Sequence, residues 1–254
     1  MKKLFEALFF LLPVIVVAGL IYIWINGSAP EPKSVTLSPT LKPTAVINSL
    51  DISYYGFEVS NLNRLKLVVN SSFLEASKLI KNNNCQLAIN AGFYGQDNKP
   101  LGLVVIENEV LSEKVISELL NGYLWISDLG GFGITQELPN TQLQTAVQSG
   151  PLLFVNGDKR QLTINNDKQA RRSVVATLAN GNLWFLIIFD KNSVFLGPKL
   201  ANLPSVLENL AQTENKVIVE AINLDGGTAS MYKDTSVFLN EFKPIGSLFC
   251  VSSE

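Results

Sequence analysis

The sequence predicts an α+β fold: a mixed β-sheet domain with few helices, preceded by one N-terminal transmembrane helix. Three observations predict it. Short segments rich in β-branched and aromatic residues recur along most of the chain, and only two segments carry a helical repeat. Asn156-Gly157 and Asn180-Gly181 each lie between apolar runs and mark hairpin turns. Near the N-terminus an apolar run without charge, residues 8–25, is about the minimum that spans a bilayer. At 254 residues the chain is long enough for one sizeable domain with a full core.

The elements follow in order. Lys2 and Lys3 place the N-terminus inside and the rest of the chain outside, with Tyr22 and Trp24 at the outer interface. A cleaved signal peptide is the alternative. The apolar segment is long for one, and Pro30 follows the small residues Gly27-Ser28-Ala29, so an uncleaved anchor over residues 1–25 is favoured. Pro30, Pro32, Pro39 and Pro43 make residues 26–45 an extended, semi-rigid linker. The folded domain then spans 46–254. Residues 52–70 read as two strands. Ser72-Phe73-Leu74-Glu75 has the form of a capping box at a helix start. Phe73, Ala76, Leu79 and Ile80 line one face of that helix, and Asn82-Asn83-Asn84 ends it. Strands are expected at 86–89, 103–106, 123–127 and 133–135. Residues 146–150 lead into another at 151–155.

Two strong strands, 173–179 and 182–189, are joined at Asn180-Gly181. A two-residue turn there sets Arg171 and Arg172 opposite Asp190 and Phe189. Residues 203–211 form a short helix with Pro204 in its first turn and Leu203, Val206, Leu207 and Leu210 on one face. A strand over 216–224 and two more in the last 19 residues (236–254) complete the chain.

Composition excludes several chemistries. The chain has no histidine, which removes Ser-His-Asp and Cys-His catalytic units and any histidine-containing metal site. Acid–base work falls to Asp, Glu, Tyr or Lys. A net charge of −2 offers no nucleic-acid surface. Cys85 and Cys250 have no metal spacing. They form a disulfide if the domain lies outside the cytoplasm, or remain two buried thiols.

Asp225 is the best candidate for a functional carboxylate. It stands where the 216–224 strand ends, and Gly226-Gly227 lets the chain turn sharply and a ligand approach the backbone. Three other segments also join a strand to a polar turn: 89–94 (Ile-Asn-Ala-Gly-Phe-Tyr), 148–151 (Gln-Ser-Gly-Pro) and 171–173 (Arg-Arg-Ser). Singly, each is as well explained by turn chemistry or a surface ion pair. In this combination and order, about residues 85–250 resemble the phosphodiester glycosidase family. The family pattern follows Asp-Gly-Gly with Gly-Ser, whereas Thr228-Ala229-Ser230 follows here.

The resemblance implies hydrolysis of a sugar-1-phosphodiester on a phosphorylated glycan. No cofactor and no metal are expected, although the missing EF-hand and Cys/His patterns speak only against common metal sites and leave a carboxylate–carbonyl cation site open. The resemblance also implies Asp225 as carboxylate, Arg172 as phosphate clamp and Asn90 on a sugar hydroxyl or the phosphate. Ser149, Gly150, Gly226, Gly227, Thr228 and Ser230 are the expected substrate-binding set. A phosphate leaves readily, so the main demands are charge neutralisation and support of an oxocarbenium-like centre. A non-catalytic module that binds envelope glycan through the same pocket is the alternative.

Overall fold

A computed structural model describes residues 42–47 and 50–252, apart from residues 96 and 98. The anchor expected over 1–25 and linker residues 26–41 lie outside the described residues. Among those described, no helix is long and apolar enough to cross a membrane.

Among the described residues, three antiparallel sheets make up the domain. The first has seven strands in the order β1 (Lys42–Ile47), β2 (Leu50–Val59), β13 (Leu183–Asp190), β12 (Arg172–Leu178), β14 (Ile218–Asn223), β10 (Leu152–Val155) and β11 (Asp158–Lys159). The second runs β16 (Phe238–Leu239), β15 (Tyr232–Lys233), β4 (Cys85–Asn90), β17 (Ser247–Ser252), β3 (Leu65–Val69). The third runs β6 (Glu109–Ser112), β5 (Val104–Ile106), β9 (Leu143–Ser149), β7 (Gly122–Ser127), β8 (Phe132–Thr135). Pairing in the first sheet starts at Lys42, ahead of residue 46.

The expected mixed sheet is therefore corrected, because every described strand pairing is antiparallel. Parallel neighbours need long crossovers, and most connections here are too short for one. The helix α2 (Leu203–Thr213) does make a crossover, from β13 to β14. It passes over β12, which pairs antiparallel with both strands.

Strand parity builds the core. On one face of the first sheet Ile52, Val174, Ala176, Trp184, Leu186 and Ile188 pack with Leu203, Val206, Leu207 and Leu210 of α2. The other face meets the second sheet through rings. Phe57 stacks on Phe185 at 5.3 Å, Tyr55 on Tyr232 at 5.8 Å, and Phe185 lies 5.3 Å from Phe249. Covered on both sides, all eight residues of β13 are buried. The helix α1 (Ala76–Asn82) packs on the outer face of the second sheet, against Ala88, Met231, Leu248 and the two cysteines. Those cysteines form the Cys85–Cys250 disulfide, with Cα atoms 5.2 Å apart.

Two local expectations need correction. The capping box does not form. Phe73 adopts φ +53° and is exposed, and the helix begins at Ala76. Asn70 instead bonds both the amide and the carbonyl of Leu74, and Glu241 Oε1 accepts the Ala76 amide at 2.6 Å. The cap is thus supplied by a distant loop. The β12–β13 register is also shifted by one residue. Leu178 donates to Asn182 O, and Gly181 takes φ +82°, so the connection is three residues with a bulge. Arg172 consequently faces Ile188, not Phe189. The Asn156-Gly157 turn forms as expected, with both residues at positive φ and Val155 opposite Asp158.

Candidate functional site

The four polar turns meet at the carboxyl end of β14. Asn223, its last residue, clamps the 148–151 turn. Its carbonyl accepts from Gly150 N at 3.0 Å and from Ser149 Oγ at 2.8 Å. Its side-chain amide donates to Gly150 O at 2.9 Å, and its backbone amide donates to Pro151 O at 3.1 Å. Asn223 Oδ1 is buried without a partner. Gln148 is spent differently: its side chain holds the backbone of Leu103, Val115 and Leu120.

Two residues further on, Asp225 is pinned by the first motif. Its amide donates to Ala91 O at 3.0 Å, and its carbonyl accepts from Asn90 Nδ2 at 2.6 Å. Asn90 Oδ1 accepts from Ser173 Oγ at 2.6 Å and from Met231 N at 3.0 Å. One buried amide side chain therefore ties β4, β12 and the 225–231 turn together. The glycines after Asp225 answer separate needs. A Cβ on Gly226 would lie 2.9 Å from Arg171 O, and Gly227 takes φ +62°. Gly227 N donates to Arg171 O at 2.7 Å.

Parity separates the two arginines. Arg171 is fully buried on the face shared with the second sheet. Its Nε donates to Ser230 Oγ at 2.7 Å and its Nη2 to Asn240 O at 2.7 Å and to Ser230 O. Its guanidinium carbon sits 5.4 Å above the Phe195 ring. Arg172 turns toward the start of α2. It donates to Pro198 O at 3.1 Å and Lys168 O at 2.7 Å, and pairs with Asp167 at 3.5 Å.

The electrostatics follow from burial. Crowding pushes the Asp225 carboxyl up to about 7, against the pull of the Gly226 amide that donates to it at 2.8 Å. Tyr94 is raised by burial and by the charge of Asp225. Its hydroxyl donates to Pro244 O. Burial lowers Arg171 to about 10, while Glu241 acts in the opposite direction. Burial lowers Arg172 too, offset by Asp167.

Asn90, Ser149, Gly150, Asp225, Gly226, Gly227 and Ser230 are thus brought together, and Arg172 lies on the helix-covered face. The Asn90 amide, the Ser149 hydroxyl and the amides of Gly150, Gly226 and Gly227 are all engaged in internal bonds. They build the frame of the site. Asp225 as a residue is half-buried, and Thr228 is exposed. Sequence reasoning gave no separate place to Asn223 and Tyr94. Tyr94 lies inside the 89–94 motif, but nothing local shows that its hydroxyl reaches Pro244 O, 150 residues on.

A model of the phosphodiester glycosidase family matches residues 83–251. The fold is similar to the zebrafish N-acetylglucosamine-1-phosphodiester α-N-acetylglucosaminidase catalytic domain, auto-inhibited by its pro-peptide, with a TM-score of 0.64 and 15% identity. That match covers 86% of this chain and 85% of the other. A hypothetical protein from Synechocystis matches with a TM-score of 0.62 and 15% identity, over 83% of this chain and 61% of the other. A putative exported protein from Burkholderia pseudomallei matches with a TM-score of 0.55 and 11% identity, over 80% and 74%. No curated protein sequence matches the chain.

Proposed function

The chain belongs to the phosphodiester glycosidase family, and on that premise we propose that it hydrolyses a sugar-1-phosphodiester within a phosphorylated glycan. The observation that carries the reading is the carboxyl of Asp225, crowded up to about 7 and held at the junction of four motifs. A group of that acidity is matched to moving a proton near neutral pH. Asp225 therefore takes a proton from water as the water oxygen bonds to C1. The C1–O bond to phosphate breaks, and its electron pair leaves with the phosphomonoester. The leaving oxygen needs little acid help, so the absence of histidine costs nothing.

Positive charge for the phosphate comes from Arg171 in preference to Arg172. Arg171 anchors the turn after Asp225 through Ser230 and through Gly227 N, and its bonded acceptors are neutral oxygens, so the charge it shares with Glu241 acts as a field behind the turn. Arg172 is already paired with Asp167. Arg171 is too buried to touch substrate, so it acts as a positioning and electrostatic residue. Thr228 is the open hydroxyl for substrate, while Asn90, Ser149, Gly150, Gly226, Gly227 and Ser230 hold the geometry.

We place the domain outside the cytoplasm, tethered through residues 1–25. The disulfide supports an oxidising compartment, and the uncharged run after Lys2 and Lys3 supports the tether.

The test is incubation of the protein with N-acetylglucosamine-1-phosphodiesters and other sugar-1-phosphodiesters, following sugar and phosphomonoester by NMR. Turnover with inversion at C1 is expected, since a base acting on water attacks from the face opposite the leaving group. Retention of configuration would remove the base role. Saturable binding without turnover would make the domain a glycan-binding module.

A further inference from the structure

The loop after β16 touches the site at two points. Phe242 N and Lys243 N donate to Thr228 O at 2.8 and 2.9 Å, and Pro244 O accepts the hydroxyl of Tyr94. Thr228 lies three residues beyond Asp225, and Tyr94 belongs to the 89–94 turn whose Ala91 carbonyl accepts the Asp225 amide. The loop thus forms a wall along the two turns that flank Asp225.

That wall carries a large apolar surface that folding does not need. Phe242 is 73% exposed, Phe195 47% and Phe238 41%. Phe195 meets Phe242 edge-on, with ring centres 6.1 Å apart at 77°. Arg171 backs Phe195 from below. The Phe242 ring therefore rests on Phe195, itself held over the buried Arg171, which removes part of the ordering cost of binding. Beside it opens a cavity of about 430 Å³, lined by Phe238, Asn240, Glu241, Phe242, Lys243 and Pro244. That volume falls in the range of small-molecule sites, and the lining combines rings with a few polar groups.

We infer that the Phe242 wall and the cavity beside it form a subsite for a neutral sugar ring, adjoining the unit that reacts at Asp225. A pyranose has an apolar face of C–H groups that fits an aromatic ring and an equatorial rim of hydroxyls. Asn240, Glu241 and Lys243 supply both donors and acceptors for such a rim. Charge argues against a second phosphate here: Glu75 and Glu241 outnumber Lys243 around the cavity. The inference rests on Asp225 as the reacting carboxylate, and it makes the substrate an oligosaccharide or polymer rather than a single sugar phosphodiester.

Direct binding tests this without turnover. Full-length protein is titrated with neutral linear oligosaccharides of glucose, mannose and N-acetylglucosamine, followed by saturation-transfer NMR and calorimetry. Wild type binds at least one. Phe242→Ala weakens that binding at least about tenfold, and Phe242→Trp retains it. Thermal melts of both variants match wild type, since the ring is exposed. Absence of saccharide binding by wild type overturns the subsite, as does equal binding by Phe242→Ala. Wild-type adsorption to phosphatidylglycerol vesicles that Phe242→Ala abolishes, without saccharide binding, also overturns it and makes the wall a membrane contact. Diester hydrolysis with no oligosaccharide binding leaves the hydrolase reading intact. Oligosaccharide binding through Phe242 without any hydrolysis keeps the subsite and removes the hydrolase.

Discussion

Asp225 combines two properties that pull against each other. Its backbone is fixed from both sides, and its carboxyl is held where the charged form is disfavoured. The folded protein therefore keeps the Asp225 proton to about pH 7, while the unfolded chain releases it in the ordinary carboxylate range. Between those limits the folded state binds more protons, so this group makes stability fall as pH rises, and the loss levels off above about 7. Asp225→Asn removes the penalty. At pH 8 the variant should melt above wild type, with the gap closing toward pH 4. Its turnover of a sugar-1-phosphodiester should drop by about a thousandfold or more, while wild-type kcat/KM rises with pH through one ionisation near 7. The arginines give a second comparison. Arg171→Lys leaves neutral oxygens in a buried site with fewer donors and should cost about 3 kcal/mol, with loss of activity. Arg172→Lys, at a pair whose side chains are only 13% and 9% exposed, keeps the charge beside Asp167 but loses donors, and should cost about 2 kcal/mol and keep turnover. Urea melts and initial rates on both variants check this.

At the scale of elements, the strands were legible because alternation and Asn-Gly turns are local signals, and α2 because its apolar face and Pro204 are contiguous. The register of the β12–β13 hairpin was not legible. A two-residue and a three-residue connection read alike around Asn180-Gly181, and a slip of one residue changes which side chains oppose one another. The choice between Arg171 and Arg172 turns on which face each takes, and that needs the sheet. The N-terminus of α1 failed for another reason: Glu241, which caps it, is 165 residues away in sequence. The 148–151 turn offers a test of close packing between elements. A Cβ on Gly150 would lie 2.0 Å from Leu119 O and 2.9 Å from Asn121 N. Both atoms are backbone and cannot rotate aside. Gly150→Ala should therefore destabilise by about 3 kcal/mol and also lower activity, because Asn223 clamps this turn beside Asp225. A denaturant melt read together with kcat separates the two effects.

For the molecule as a whole, the motifs announced that something converges but not how three sheets bring it about. Asn223 belongs to the first sheet, Asn90 to the second and Ser149 to the third, so the site exists only when all three have docked. Two devices hold that assembly. One is the layer of rings between the first two sheets, which no local pattern reveals because each ring alone reads as ordinary strand core. The other is the Cys85–Cys250 disulfide, joining β4 to β17 and closing everything from β4 to β17 into one loop, with a sequence separation of 165. A closure that long removes much unfolded-state entropy, and breaking it should cost about 2–5 kcal/mol. Asn90 ends the same strand that Cys85 begins, and it carries the Asp225 carbonyl. Loosening β4 therefore reaches the acid directly. In Cys85→Ala/Cys250→Ala the melting temperature should fall by several degrees, and activity should be lost at temperatures where the protein is still folded. A variant that loses activity well before it unfolds would show that β4 sets the acid's position even within the native state.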